Sequence, residues 1–337
     1  MVAVSQIAEF EAAIEAELRD MFRSRDLALY DMMTYHMGWG PDDSESPYHA
    51  PSTTSGRIHG VACLTACEAA GGDISVCMPA AAAIEMSLAF VQIHDDVQSG
   101  SPQRGGRDAV WWKWGPAQAI NAGDGMYAMA RVALFRLVER GATPETTFRA
   151  IQIFDETNLA LCEGRYQDLE ARERINISVD AYLAMASDKS TALYVGGMKL
   201  GALVAGADDA TMSVMAAFGS KVGLARQIQD DLNELWHRTE PSDEVLNKKK
   251  LLPLVYTVEN ADVTTKRRLG EIYFKRVLDA ADVEAIRGIL DEGGGRQFSE
   301  DMVDDLRRDA LAAVGKTDLP QSSKDMLHQL AASILSG

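Results

Sequence analysis

Residues 78–93 form a long apolar run that ends on two adjacent carboxylates, Asp95 and Asp96. Acids in so hydrophobic a segment need a counter-charge, because an unpaired ion is costly to remove from water. A second run of the same form, KVGLARQIQDD, delivers Asp230 and Asp231, with Glu234 one helical turn beyond. At that spacing Asp230 and Glu234 share a helix face. Two such helices facing each other would make a cage of hard oxygen ligands, suited to Mg²⁺ bridging a diphosphate. The alternative, a buried acid matched to Lys or Arg, is weakened by the pattern occurring twice. The pairs Asp42-Asp43, Asp208-Asp209 and Asp304-Asp305 lie among polar residues and read as solvated faces.

The rest of the chain favours helix. Of its 337 residues, 47% are hydrophobic and 25% charged, and β-branched runs are scarce. The fold class expected is all-α, as a single domain over 1–337. Apolar spacing predicts a long first helix from Phe10 toward Tyr35, followed by an exposed and mobile connection over 38–56 that is rich in Pro and Ser. A helix over 61–70 stops at Gly71-Gly72, and Pro79 opens the helix that carries Asp95. Further helices are expected over 117–137, 146–169, 178–205, 210–236 and 252–259, with a set from 263 onward and no competing strand. Thr143-Pro144-Glu145 is a start signal, and the triple glycine 293–295 separates late helices rather than domains.

The net charge of −17, with no long basic run, argues against nucleic acid as a partner. An acidic protein still binds a diphosphate through divalent cations. Four cysteines, Cys63, Cys67, Cys77 and Cys162, are too few for a disulfide framework and read as core thiols in a reducing cytoplasm. His59, Cys63 and Cys67 recur at helical turns, but no fourth ligand stands at zinc spacing. The acidic N-terminus does not read as a targeting signal, and Pro79, Glu85 and Lys199 interrupt the most apolar stretches, so no integral membrane segment is expected.

In order, HDD, RGGR, GPAQAINAGDG, CEG with Asp168, DKSTAL, GLARQIQDD and KKKLLP resemble the all-trans isoprenyl diphosphate synthase (polyprenyl synthetase) family over nearly the whole chain. The resemblance implies an isoprenoid-synthase-type helical bundle around a deep central cavity, a homodimer, and a cluster of Mg²⁺ ions, three with the substrate diphosphate, held by two aspartate-rich motifs. It carries Asp95 and Asp96 onto the first motif and Asp230, Asp231 and Glu234 onto the second, all as metal ligands. Arg104 matches the first arginine after the first motif. Lys189, Gln227 and Lys249 fall where the family faces an allylic prenyl diphosphate or its metals. Phe90 stands where chain depth is limited, and Gln92 where an aliphatic residue is common.

The departures concern a second diphosphate. Ser99 replaces the first motif's last aspartate, and Gly105 replaces the second arginine of a pair. In the early glycine-lysine-arginine motif only Arg57 is kept, with Gly56 and His59 in place of two cations. In the family a lysine and two arginines at 56, 59 and 105 would bind isopentenyl diphosphate. Losing three charge-assisted contacts, each contributing roughly 1.5–3 kcal/mol, weakens that site by orders of magnitude. Positive charge is gained instead at Arg165 and at Arg226, which lies four residues before Asp230 and either reaches a diphosphate oxygen or bridges to Asp230.

From this balance the expected function is a Mg²⁺-dependent terpene synthase that ionises one all-trans allylic prenyl diphosphate of C10 to C20 and releases pyrophosphate and a terpene. The alternatives are a chain-elongating trans-prenyltransferase that adds isopentenyl diphosphate, and a non-catalytic subunit that tunes such a synthase.

Overall fold

The computed structural model describes residues 2–39, 56–174, 176–238, 243–246, 248–275 and 278–336. The expected connection over 38–56 falls, for 40–55, outside the described residues. As the composition predicts, the architecture is all-α. The N-terminal helices are α1 (Val2–Phe22), α2 (Ala28–His36), α3 (Ile58–Ala69) and α4 (Ile74–Ser99). A two-residue hairpin, β1 (Gln103–Arg104) and β2 (Arg107–Asp108), leads to α5 (Val110–Trp114), α6 (Pro116–Glu139) and α7 (Pro144–Glu173). Then come α8 (Val179–Ala186), a π-helical turn Ser187–Thr191, α9 (Ala192–Val204), α10 (Asp209–Leu232) and a second π turn Asn233–His237. The last helices are α11 (Asp243–Leu246), α12 (Leu252–Asn260), α13 (Val263–Tyr273), α14 (Ala280–Glu292), α15 (Gly295–Gly315) and α16 (Gln321–Ser336).

Several local expectations are corrected. The first helix is two, because the Phe22 ring packs edge-on against Tyr30 and Trp39, with centroids 6.3 and 5.6 Å away, and the chain folds back about it. The helix carrying Asp95 begins before Pro79: the Asp73 carboxylate accepts the Ser75 N–H at 2.8 Å and caps it, leaving Pro79 inside the helix. The helix expected over 178–205 is interrupted by the first π turn, and the one over 210–236 ends in the second. Strand occurs after all, as the hairpin, and Cys162 is exposed while Cys63, Cys67 and Cys77 are buried.

The chain groups into two compact units, Met1–Asn158 with Leu193–Gly219 and Ala313–Gly337, and Leu159–Ala192 with Ser220–Ala312. In the first, the buried alanines Ala80 to Ala83 give α4 a smooth surface for α3 and α6 to approach, and Ile14, Leu64, Ile84, Met126 and Leu134 fill the core. Gly201 on α9 sits against the Cys63 carbonyl, which any Cβ would meet at 2.0 Å. By length and composition α4 qualifies as a membrane span, yet most of its apolar stretch is buried inside the protein. The second unit is built around Leu235, Leu254, Val283, Ile286 and Leu290, with the Tyr256 and Phe298 rings stacked at 4.0 Å.

Candidate active site

The first aspartate pair ends α4, where Gly100 takes the left-handed conformation that stops the helix. Asp95 is half-buried and Asp96 buried. Arg104 clamps Asp96 in a fork, Nη2 at 2.8 Å and Nε at 3.0 and 3.1 Å from its carboxylate oxygens. The Ser99 hydroxyl donates back to the Asp95 carbonyl at 2.7 Å, so its proton serves the helix end. On the same helix, Gln92 meets His36 of α2 at 3.3 Å, and Phe90 packs against His94 and Tyr127, centroids 4.9 and 5.5 Å away. Phe90 thus lies on the α6 side of α4, and Gln92 on the α2 side.

Of the early basic motif, Arg57 is 4% exposed and directs Nε and Nη2 onto one Glu15 oxygen, at 3.2 and 2.7 Å. The His59 ring lies 4.3 Å from that of Tyr194. Both are therefore engaged inside the first unit.

In the second unit, Asp231 is a buried hub. Its oxygens accept the Tyr182 hydroxyl, the Gln227 amide at 2.9 Å and the Leu252 N–H at 2.8 Å, which ties α8 and the start of α12 to α10. Burial pushes its carboxyl up to about 6, with Lys249 and these three donors pulling against the rise. Gln227 also accepts the Ser190 hydroxyl at 2.5 Å, so it bridges the first π turn to Asp231. Arg226 Nε donates to Asp230 at 2.8 Å, the bridging alternative for this residue. Lys249 follows Lys248, whose φ of 64° is rare for a non-glycine residue. The Lys248 ammonium holds the Tyr273 and Lys275 carbonyls at 2.9 and 2.6 Å, which anchors that turn.

Lys189 lies in the first π turn, a helical irregularity that often marks functional sites. Gly164 of α7 makes room for it: a Cβ there would come within 2.2 Å of the Lys189 nitrogen. The Lys189 ammonium, Arg165 and Arg172 meet one oxygen of Asp168 at 2.9, 2.9 and 3.2 Å. Burial raises the Asp168 carboxyl, but Lys189, Arg172 and Arg165 outweigh it and hold it at about 2. Three cations about one anion leave this cluster net positive.

Among the described residues no three of His, Cys, Asp and Glu converge as a closed metal site. Mg²⁺ binds through one or two carboxylates and takes its remaining ligands from water and substrate phosphates. Glu234 fits the ion: its Oε2 is buried without a hydrogen-bond partner, while Oε1 meets Arg238 at 3.3 Å. Asp230 turns partly to solvent. Asp231, with both oxygens already accepting protein donors, orients its neighbours. The sequence reading missed Tyr182 and Ser190; a buried tyrosine that must satisfy its hydroxyl was the available signal for the first. Asp168 stands out in the sequence only through its motif, and Arg172, one turn on, completes the cluster.

The polyprenyl synthetase family model matches residues 45–290. The geranylgeranyl diphosphate synthase of Mycobacterium tuberculosis is 32% identical over 293 residues, 85% of this chain and 81% of that protein. The (2E,6E)-farnesyl diphosphate synthase of Mycobacterium bovis is 28% identical over 94% of this chain and 89% of its own length. A polyprenyl synthetase from Streptomyces coelicolor superposes with a TM-score of 0.86 at 26% identity, covering 99% of both chains. With the aspartate pairs, the π turn carrying Lys189 and the all-α architecture already described, these matches mean that the chain belongs to the polyprenyl synthetase family of enzymes acting on allylic diphosphates.

Proposed function

We propose that the protein is a Mg²⁺-dependent trans-prenyltransferase that lengthens an all-trans allylic diphosphate with isopentenyl diphosphate. The observation that carries this reading is the likeness to a geranylgeranyl diphosphate synthase along 85% of the chain. It takes precedence over the single-substrate terpene synthase expected from the sequence.

Bound Mg²⁺ would neutralise the diphosphate and ease its departure from the allylic carbon. Asp95, Asp230 and Glu234 are the proposed direct ligands; Asp96, held by Arg104, and Asp231, held by Tyr182 and Gln227, keep their helix ends in register. Lys189 and Lys249 would contact the allylic diphosphate, Lys189 being aimed by Asp168. The allylic carbon–oxygen bond breaks, the isopentenyl double bond attacks the resulting cation, and loss of a proton restores an alkene. The protein would work as a homodimer, for which α6 offers the exposed apolar residues Ile120, Val132, Phe135 and Val138.

A specific observation favours the terpene synthase as second reading. Positions 56, 59 and 105 carry no permanent cation, and Arg57, the retained one, is engaged with Glu15. Incubation with Mg²⁺ and geranyl, farnesyl or geranylgeranyl diphosphate, each with and without isopentenyl diphosphate, separates the two. Longer prenyl diphosphates formed only with both substrates are expected. A terpene hydrocarbon or alcohol from the allylic substrate alone, with no elongation, would overturn the first reading.

A further inference from the structure

Within the second unit, a cavity of about 350 Å³ lies between the end of α10 with its π turn and the first half of α15. Its volume is at the small end of the roughly 300–1,000 Å³ common for small-molecule sites. Leu232 from α10 and Val303 from α15, both buried, give it two apolar sides, and Trp236 lies beside them. At helical spacing Gln229, Leu232 and Trp236 share one face of α10, while Asp230 and Glu234 stand roughly 100° or more round the axis. None of the proposed metal ligands lines the cavity, which lies behind them.

The polar side chains here spend their bonds along their own helices. On α15 Arg296 pairs with Glu300 at 2.8 Å and the Gln297 amide donates to Asp301 at 2.9 Å. On the other wall the Gln229 amide donates to Asn233 at 3.2 Å. Among the described residues no hydrogen bond crosses from one wall to the other. The Arg296 guanidinium instead lies 5.2 Å from the centroid of the Trp236 ring, so that ring already carries one cation on its face. The Trp236 indole N–H is buried with no acceptor, which leaves the ring held by packing rather than by a hydrogen bond. At pH 7 the carboxylates Glu300, Asp301 and Asp304 outnumber the Arg296 guanidinium by two. An occupant with an apolar middle and two positive ends matches both the apolar sides and that charge.

The cavity is tied to the second aspartate motif through the chain itself. Trp236 and His237 belong to the same π turn, Asn233–His237, as Glu234. Asn233 Oδ1 takes the Gln229 amide and meets His237 Nδ1 at 2.9 Å, which fastens both ends of the turn to the cavity wall. A molecule packed against Trp236 therefore acts on the turn that carries Glu234.

We propose that this cavity binds an aliphatic diamine, as a dication, and that the bound diamine steadies the π turn Asn233–His237. A consequence for Mg²⁺ rests on the reading of Glu234 as a ligand given above; the binding does not. A steadied turn leaves less for the metal to order, so diamine and Mg²⁺ favour one another.

The test uses the full-length protein with 1,5-diaminopentane, and pentane-1,5-diol as an uncharged probe of the same length. Calorimetry in EDTA is expected to show saturable one-to-one binding of the diamine and none of the diol. Asp304→Asn weakens the diamine by roughly fivefold and Trp236→Leu by roughly threefold or more, the losses expected for an exposed ion contact and a cation–π contact. Asp305→Asn makes the same charge change on the next residue of α15, outside the cavity lining, and shifts binding by less than about twofold. Thermal unfolding checks that each variant is folded, and Asp304, being exposed, keeps the test valid if Trp236→Leu is not. Hydrogen exchange in EDTA reads the turn: with diamine present the amides of 233–237 exchange roughly threefold or more slowly. Pyrophosphate release from geranyl diphosphate then reaches half its maximal rate at roughly fivefold lower Mg²⁺. No saturable binding overturns the site, and equal losses in Asp304→Asn and Asp305→Asn overturn it too, as general attraction to an acidic surface. Binding that leaves exchange at 233–237 unchanged overturns the effect on the turn. If exchange slows while the Mg²⁺ dependence stays put, the reading of Glu234 as a metal ligand fails and the diamine site stands.

Discussion

Glu85 of α4 accepts the backbone N–H of Gly60 at 2.6 Å in the core of the first unit, where Glu85 is only 1% exposed. Burial pushes its carboxyl up from 4.5 to about 7, against the pull of Arg57 and the Gly60 N–H. The folded state therefore binds this proton more tightly than the unfolded chain does. The associated stability is complete below about pH 4.5 and is lost as the pH rises through 7, a change of about 3 kcal/mol at 1.36 kcal/mol per unit.

His36 titrates with the opposite sign. Its value is lowered to about 3, so its contribution is present above 6.5 and fades as the pH falls. Comparing wild type with Glu85→Gln at each pH cancels the His36 term. The prediction is that Glu85→Gln gains on wild type by about 3 kcal/mol between pH 4.5 and pH 8, read by denaturant unfolding. A difference that stays constant across that range would mean that Glu85 is ionised throughout.

Much of this arrangement was legible in the chain. The 3.6-residue periodicity placed the helices, and two apolar runs ending in carboxylates picked out Asp95, Asp96, Asp230 and Asp231 because such acids are too costly to bury for packing alone. The π turns at Ser187–Thr191 and Asn233–His237 were not legible, since a π turn differs from an α turn by one step of hydrogen-bond register and has no composition of its own. The hairpin Gln103–Asp108 is too short to show an alternation. Nor could spacing reveal that Tyr182 reaches Asp231, because that tie joins residues on different helices. Asp231 was expected to hold metal on the strength of its motif; its engagement with three protein donors emerges only when the helices are packed.

Arg226 and Asp230 stand one helical turn apart with Nε 2.8 Å from the carboxylate, and both side chains are partly exposed. A pair so placed contributes no more than about 1 kcal/mol to stability. Arg226→Phe is therefore expected to leave the unfolding free energy within about 1 kcal/mol of wild type. Turnover is expected to fall, because the variant removes a cation beside a proposed Mg²⁺ ligand. Steady-state kinetics across a Mg²⁺ titration, run beside thermal unfolding, separate the two roles. Unchanged kinetics with a lowered melting temperature would assign Arg226 to the ion pair alone.

The face of α6 carrying Val132, Phe135 and Val138 is the clearest physical argument for a second copy of the chain. These residues recur every third position and each is about half exposed, with Phe135 at 57%. Isolated apolar residues on a surface need no explanation, but a stripe along one helix is where the proposed second copy would pack. Phe135→Asp replaces a ring whose burial is worth roughly 2 kcal/mol with a charge, once in each copy of a symmetric pair. The dimer constant should then weaken by roughly a hundredfold or more. Sedimentation velocity at micromolar concentration is expected to give a dimer for the wild type and a monomer for Phe135→Asp, with both folded by circular dichroism. A wild-type monomer, or a variant that still sediments as a dimer, would remove α6 as the interface.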